Sequence, residues 1–304
     1  MTPFQAYKKA FELTERSKEL EQIILQNKNA TFRYMEDYLR QRWPEAEELI
    51  AQSGLLSMSY ARNVIKKRFL AGESSILEEV DHIVKYTLDV IGERWLEAEE
   101  RLLAEGVEGE LSQYAVEILQ DSWPEAEPII IKDPYAAYEY ASEIIGGRWE
   151  EAESIILTDA YISALYASEV IMERWPEAEN IILTDSEAIC LYADEVLHGR
   201  WPEAESIMIR NPLNAYAYAS SVIKSRWLEA EEIIATNGSA SVAYAGQILG
   251  GRFFAGEQAI LSAAQTGDPE AQYHLELYEE SFNISLEEMC GIPLSENNWQ
   301  KEGF

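Results

Sequence analysis

Apolar residues fall into two alternating clusters along this chain, and the alternation has a fixed period. One cluster is a stripe such as Tyr140, Ala141, Ile144 and Ile145, which returns as Tyr166, Ala167, Val170 and Ile171. Spacings of three and four residues place such positions on one face of a helix. The other cluster is a short apolar run, Ile155-Ile156-Leu157 or Ile181-Ile182-Leu183, each behind a hexapeptide such as Arg174-Trp175-Pro176-Glu177-Ala178-Glu179. The hexapeptide's aromatic recurs at Trp43, Phe69, Trp95, Trp123, Trp149, Trp175, Trp201, Trp227 and Phe253, in steps of 26 residues except Trp95 to Trp123, which is 28. An internal period of this size marks a repeat architecture. The pattern predicts an all-α fold, an α-solenoid (superhelix) of about ten two-helix repeats of 26 residues.

Punctuation supports two helices per repeat. The first opens at Asp133-Pro134 or Asn211-Pro212, an N-cap followed by proline at N1. Asp159 and Asp185 take the same place without proline. It stops at Gly146-Gly147, His198-Gly199 or Gly250-Gly251, where glycine suits a left-handed cap. The second opens at Trp-Pro, with glutamates at the positive end of its dipole. Arg16, Ser17 and Glu21 match the hexapeptide without its aromatic, so residues 1–27 read as a degenerate capping repeat, residues 28–265 as tandem helical hairpins, and residues 266–304 as a capping helix and tail. The two extra residues of the 28-residue unit, near Glu105-Gly106-Val107-Glu108-Gly109, predict a longer loop there.

Charge changes the picture. The chain holds 24 basic and 55 acidic residues, a net of −31. Residues 102–199 concentrate the excess, with 22 acidic groups against Lys132, Arg148 and Arg174. Such a field repels nucleic acid and anionic membranes and favours proteins with a basic surface. Two cysteines, Cys190 and Cys290, are too few for a disulfide framework. The residues after Met1 lack the apolar core of a secretion signal, and a cytoplasmic protein, monomeric by preference, is expected.

The repeated residues read as packing elements. An arginine precedes a glutamate by five positions in eight of the nine aromatic-bearing units, Ser122 being the exception. Catalytic pairs are not copied once per repeat, so this pair reads as a ladder fixing the register between units, its guanidinium stacked on tryptophan. Partner information belongs in positions that vary. Three residues after the stripe tyrosine stand Asp89, Glu117, Glu143, Glu169 and Glu195, an acid in five consecutive units, and stacking turns them into a carboxylate ridge. Tyr135, Tyr138, Tyr161 and Tyr216 are tyrosines beyond the stripe, and with the ridge they suit an arginine-rich protein surface. At ~10 Å per unit, the middle repeats carry about one net charge per 2 Å of axis, against ≈ 1.7 Å for duplex DNA.

His82, His198 and His274 have no metal-ligand spacing, and no phosphate-binding, nucleophile-elbow or calcium-loop motif occurs. The sequence therefore predicts no enzyme, cofactor or metal site. The phrase R-[WF]-P-E-[AG]-E with its preceding Tyr-Ala-x-x-Val-Ile, over about residues 16–261, resembles the tandem short helical repeats of bacteriophage and large-DNA-virus proteins. That resemblance implies an accessory protein acting on host machinery, in the host cytoplasm. The leading expectation is a scaffold that binds another protein through its acidic middle repeats. The alternatives are a DNA mimic and a self-assembling structural protein.

Overall fold

A computed structural model describes residues 1–13 and 15–286, so the tail expected over residues 291–304, and Cys290, lie outside the described residues. The fold is an all-α solenoid of repeats, with 21 α-helices and no strand among the described residues. Two compact units divide the chain, residues 1–156 and residues 157–304. Each is a succession of helical hairpins in which a leading helix is followed by a return helix.

In the first unit the leading helices are Lys28–Arg33, Gly54–Ser59, Val80–Tyr86, Glu108–Tyr114 and Pro134–Tyr140. Side chains of Asn27 and Asp133 cap two of them by accepting backbone N–H groups at their first turns. In the second unit they are Ala160–Leu165, Ser186–Glu195, Pro212–Tyr218 and Gly238–Tyr244, capped by Asp159, Asp185, Asn211 and Asn237. Helix Pro3–Ala10, closed by a Thr2–Gln5 capping box, precedes the first repeat, and Pro269–Phe282 follows the last.

Eight of the nine leading helices end in a π-helical turn, a feature the sequence pattern did not announce. In each the N–H of a left-handed residue reaches the carbonyl five residues back, as Gly146 to Ala141, Met172 to Ala167 and Lys224 to Ala219. Glycine fills that left-handed position at Gly146 and Gly250, as the sequence reading expected, and also at Gly92; at the expected His198-Gly199 stop it is His198 and not the glycine, and Arg40, Lys66, Gln120, Met172 and Lys224 fill it elsewhere. The wide turn also ends the buried stripe early. Tyr140 and Ala141 are fully buried, whereas Ile145, in the last residue of the turn, is 40% exposed.

Return helices such as Pro44–Ile50, Pro176–Ile182 and Pro202–Met208 start behind an extended tryptophan, with proline where no N–H is needed. The 28-residue unit corrects one expectation. Its extra residues lengthen the return helix to Leu96–Glu105 rather than the loop, and Gly106 closes it with φ 70°. Glu105 extends a helix as readily as it enters a loop, so the helix absorbs the insertion until the first glycine able to cap it.

The core is the aromatic pair of each hairpin. Tyr192 and Trp201, or Tyr218 and Trp227, have ring centroids 5.3–5.4 Å apart and are at most 2% exposed. Each ring buries roughly 150–250 Å², on the order of 4–6 kcal/mol before chain entropy is counted. The small residue of the hexapeptide lets this packing close. Ala46, Ala98, Ala126, Ala152, Ala178, Ala204 and Ala230 have no exposed surface, and a methyl at Gly72 or Gly256 would overlap the hydroxyl of Ser57 or Ser241.

Met172 is 77% exposed and sits at φ 57°. Met172→Gly should raise the melting temperature, by about 0.5–1 kcal/mol of stability once the added freedom of the unfolded chain is deducted. A thermal melt followed by circular dichroism checks this; a lower melting temperature would contradict the strain.

Candidate functional site

The residues that recur in every repeat converge on one point. In the second unit, Arg174 donates from Nε and Nη2 to the two carboxylate oxygens of Glu179, at 2.6 and 3.1 Å. The Tyr192 hydroxyl, on the next leading helix, donates to Glu179 at 3.3 Å and accepts the backbone N–H of Trp175 at 2.7 Å. The same set joins Arg226, Trp227, Glu231 and Tyr244, and ends with Arg252, Phe253, Glu257 and Tyr278. In the first unit it begins as Arg16, Glu21 and Tyr34 and continues through Tyr60, Tyr86, Tyr114 and Tyr140.

This geometry revises the expected ladder in two respects. The arginine–glutamate pair lies inside one loop and turn; the tyrosine hydroxyl is what crosses to the next hairpin. The guanidinium also reaches an aromatic ring of the next repeat where its own repeat lacks a tryptophan. Arg16 and Arg68 lie 6.0 Å from the rings of Trp43 and Trp95, one repeat further on. Ser122 takes the arginine's place in one repeat, yet Tyr140 still bonds Glu127 at 3.0 Å and the Trp123 N–H at 2.7 Å. The tyrosine link therefore stands without the arginine.

Burial pushes the phenols up. Tyr86, Tyr114, Tyr140, Tyr192, Tyr244 and Tyr278 are each raised from 10.0 to about 12, chiefly by desolvation. Hydrogen bonds from Arg42 and Arg226 hold the carboxyls of Glu47 and Glu231 below their ordinary range. These shifts belong to packing. Among the described residues no group of His, Cys, Asp or Glu could hold a metal ion.

The candidate partner positions lie on the π turns and their neighbours. In the first unit Asp89, Glu117 and Glu143 are all exposed on consecutive turns, Thr87–Ile91, Ala115–Leu119 and Ala141–Ile145, which pack in sequence on one another. Tyr138 is half-buried on the leading helix Pro134–Tyr140, its ring centroid 6.1 Å from that of exposed Tyr135 in an edge-to-face arrangement. In the second unit Glu169 is exposed on the turn Tyr166–Ile171 and Glu195 is exposed at the end of Ser186–Glu195. Tyr161 is 42% exposed, and Tyr216 is half-buried.

Asp89 differs from Glu117, Glu143 and Glu195 in a way the sequence pattern did not show. Arg62, on the preceding turn, donates to Asp89 at 2.9 Å. The residue in Arg62's place is Leu88 before Glu117, Val116 before Glu143 and Ser168 before Glu195, all uncharged. The spacing of 27 residues between Arg62 and Asp89 was the available signal, since Asn63 bonds Glu36 across the same spacing.

Comparison with family models, with curated proteins and with solved structures finds no match to the chain. Function has to be argued from these surfaces alone.

Because the folded phenols titrate above the ordinary value of 10.0, their contribution to stability is complete below pH 10 and is lost as pH rises towards 12. Melting temperature should fall steeply between about pH 10 and 12, with the phenolate absorbance of the bridging tyrosines appearing together with loss of helical signal. Ionisation of all the tyrosines, the bridging ones included, in the fully helical protein near pH 10 would contradict the buried bridges.

Proposed function

We propose that this chain is a non-enzymatic acidic scaffold that binds a protein with a basic surface through the exposed acids of its middle repeats. One observation carries the reading. The residues repeated in every unit are consumed by interior contacts, and what they hold outward at a fixed register is carboxylate without a cation from the neighbouring turn at Glu117, Glu143 and Glu195. Glu117 and Glu143, on turns that pack on one another, repel, and a basic partner relieves that repulsion. Net −31 gives a long-range field that speeds encounter with such a partner and disfavours anionic ones. Among the described residues no helix is long and apolar enough to cross a membrane.

The resemblance to phage and viral repeat proteins makes a host factor the natural target, with the complex formed in the host cytoplasm. A narrower reading, mimicry of DNA in the groove of a nucleic-acid-binding protein, draws on the charge of residues 102–199. It differs in one outcome: excess duplex DNA competes with the protein only if the partner's DNA groove is occupied.

Changing Glu117, Glu143, Glu169 and Glu195 together to Gln should abolish capture of the partner from a host lysate while leaving helicity and melting temperature intact. Capture by the parent protein should weaken steeply with added salt. Undiminished capture by the quadruple variant, or capture indifferent to salt, would refute the acidic surface as the binding element.

A further inference from the structure

Two residues after the repeat aromatic, seven repeats carry a glutamate: Glu45, Glu97, Glu125, Glu151, Glu177, Glu203 and Glu229. These lie at the start of the return segment, and five of them act on the arginine of the preceding repeat. In the first unit Glu45, Glu97 and Glu125 help to favour the charged forms of Arg16, Arg68 and Arg94. In the second unit Glu203 and Glu229 do so for Arg174 and Arg200. The arginine row is thus flanked by carboxylates from two directions, its own glutamate and the next repeat's.

The two phenylalanine repeats break this arrangement, with Ala71 and Ala255 at the glutamate position. Arg226 meets Glu231 and Tyr244, and the following repeat offers it Ala255 where Arg200 has Glu229. Its bonds to Glu231 use Nε and Nη2, so its Nη1 hydrogens stay available, and its side chain is 58% exposed. Where the glutamate would stand there is an open cleft of about 480 Å³ lined by Arg226, Glu231, Leu249, Arg252, Phe254 and Ala255. That volume is within the range of small-ligand sites. Phe254 is 71% exposed, and the Arg252 guanidinium lies 4.5 Å from its ring centroid.

Glu231 does not forbid an anion here, because Arg226 already binds both its oxygens and Tyr244 donates to it at 3.0 Å. The Arg252–Glu257 pair is likewise closed. With both pairs neutral, one further carboxylate reproduces the charge state that the other repeats hold permanently.

We propose that this cleft binds a glutamate or aspartate side chain of an acidic peptide segment on a partner protein. The ligand carboxylate takes the place beside Arg226 that Glu229 takes beside Arg200, and the apolar residue next to it lies on Phe254. The chain's own repeats define that occupant: Glu229 stands beside Arg200, and Ala255 leaves the same place beside Arg226 without a carboxylate. This surface is separate from the acids of the π turns and takes the opposite kind of partner. Arg42 repeats the situation in the first unit: Ala71 replaces the glutamate, and no acid from the following repeat acts on Arg42.

The test uses the full chain labelled with ¹⁵N and the blocked tripeptide acetyl-Leu-Glu-Ala-amide, which copies residues 228–230. Titration should shift the Arg226 Nε–H resonance saturably, and the Gln counterpart of the peptide should bind roughly tenfold more weakly or less. Ala255→Glu supplies the missing carboxylate in place, so it should abolish the shift while preserving the thermal melt. Equal response to the Glu and Gln peptides, no shift at all, or unchanged binding by A255E would overturn the proposal. Concentration-dependent self-association by light scattering that A255E removes would also overturn it, by making the occupant a second copy of this chain.

Discussion

Within each compact unit, tyrosine hydroxyls tie hairpins to the ones before them. The stripe tyrosine donates to a glutamate that closes the preceding hairpin and accepts the N–H of that hairpin's aromatic residue, as Tyr192 does with Glu179 and Trp175. The N–H of Trp175 would otherwise be a buried donor without a partner, and leaving it unpaired costs about 1–3 kcal/mol. The ring of the same tyrosine packs on the tryptophan of its own hairpin. A single residue therefore fixes two neighbours at once, by apolar area on one side and hydrogen bonds on the other. The exposed arginine is secondary by comparison, since Ser122 replaces it without loss of the tyrosine bond.

This arrangement explains how the outer surface is free to vary. A repeat whose interior is specified by an aromatic, a small residue, a glutamate and a tyrosine makes no demand on the π-turn positions. In the first unit those positions hold a neutralised acid at Asp89 and unneutralised acids at Glu117 and Glu143. The first turn of the return helix varies in the same way, with Glu229 beside Arg200 and Ala255 beside Arg226. Two surfaces of opposite preference can therefore be written on one scaffold without altering its packing.

The fold was legible because its determinants repeat. A 26-residue period, proline behind tryptophan and Asp or Asn before the stripe define hairpins on local physics alone. The tyrosine bridge was not legible, because the pairing of Tyr192 with Glu179 joins residues 13 apart through a turn whose direction the sequence does not state. The π turns were hidden for a related reason: Met172 and Lys224 carry no mark of the left-handed conformation they adopt. Of the candidate surface, the acids could be placed at one register, but Arg62's neutralisation of Asp89 depends on how consecutive turns stack. The arginine cleft was visible only as an omission, a glutamate missing at Ala71 and Ala255 from a series otherwise complete.

Native-state hydrogen exchange at the backbone amide of Trp175 tests the central claim most directly, because that N–H has the Tyr192 hydroxyl as its acceptor at 2.7 Å. In the parent protein it should exchange as slowly as the most protected amides of its repeat. In Tyr192→Phe, which keeps the ring and removes the acceptor, its exchange should accelerate by roughly tenfold or more while the Trp227 amide is unchanged. Equal protection of the Trp175 amide in both proteins would contradict the hydroxyl as the link between hairpins.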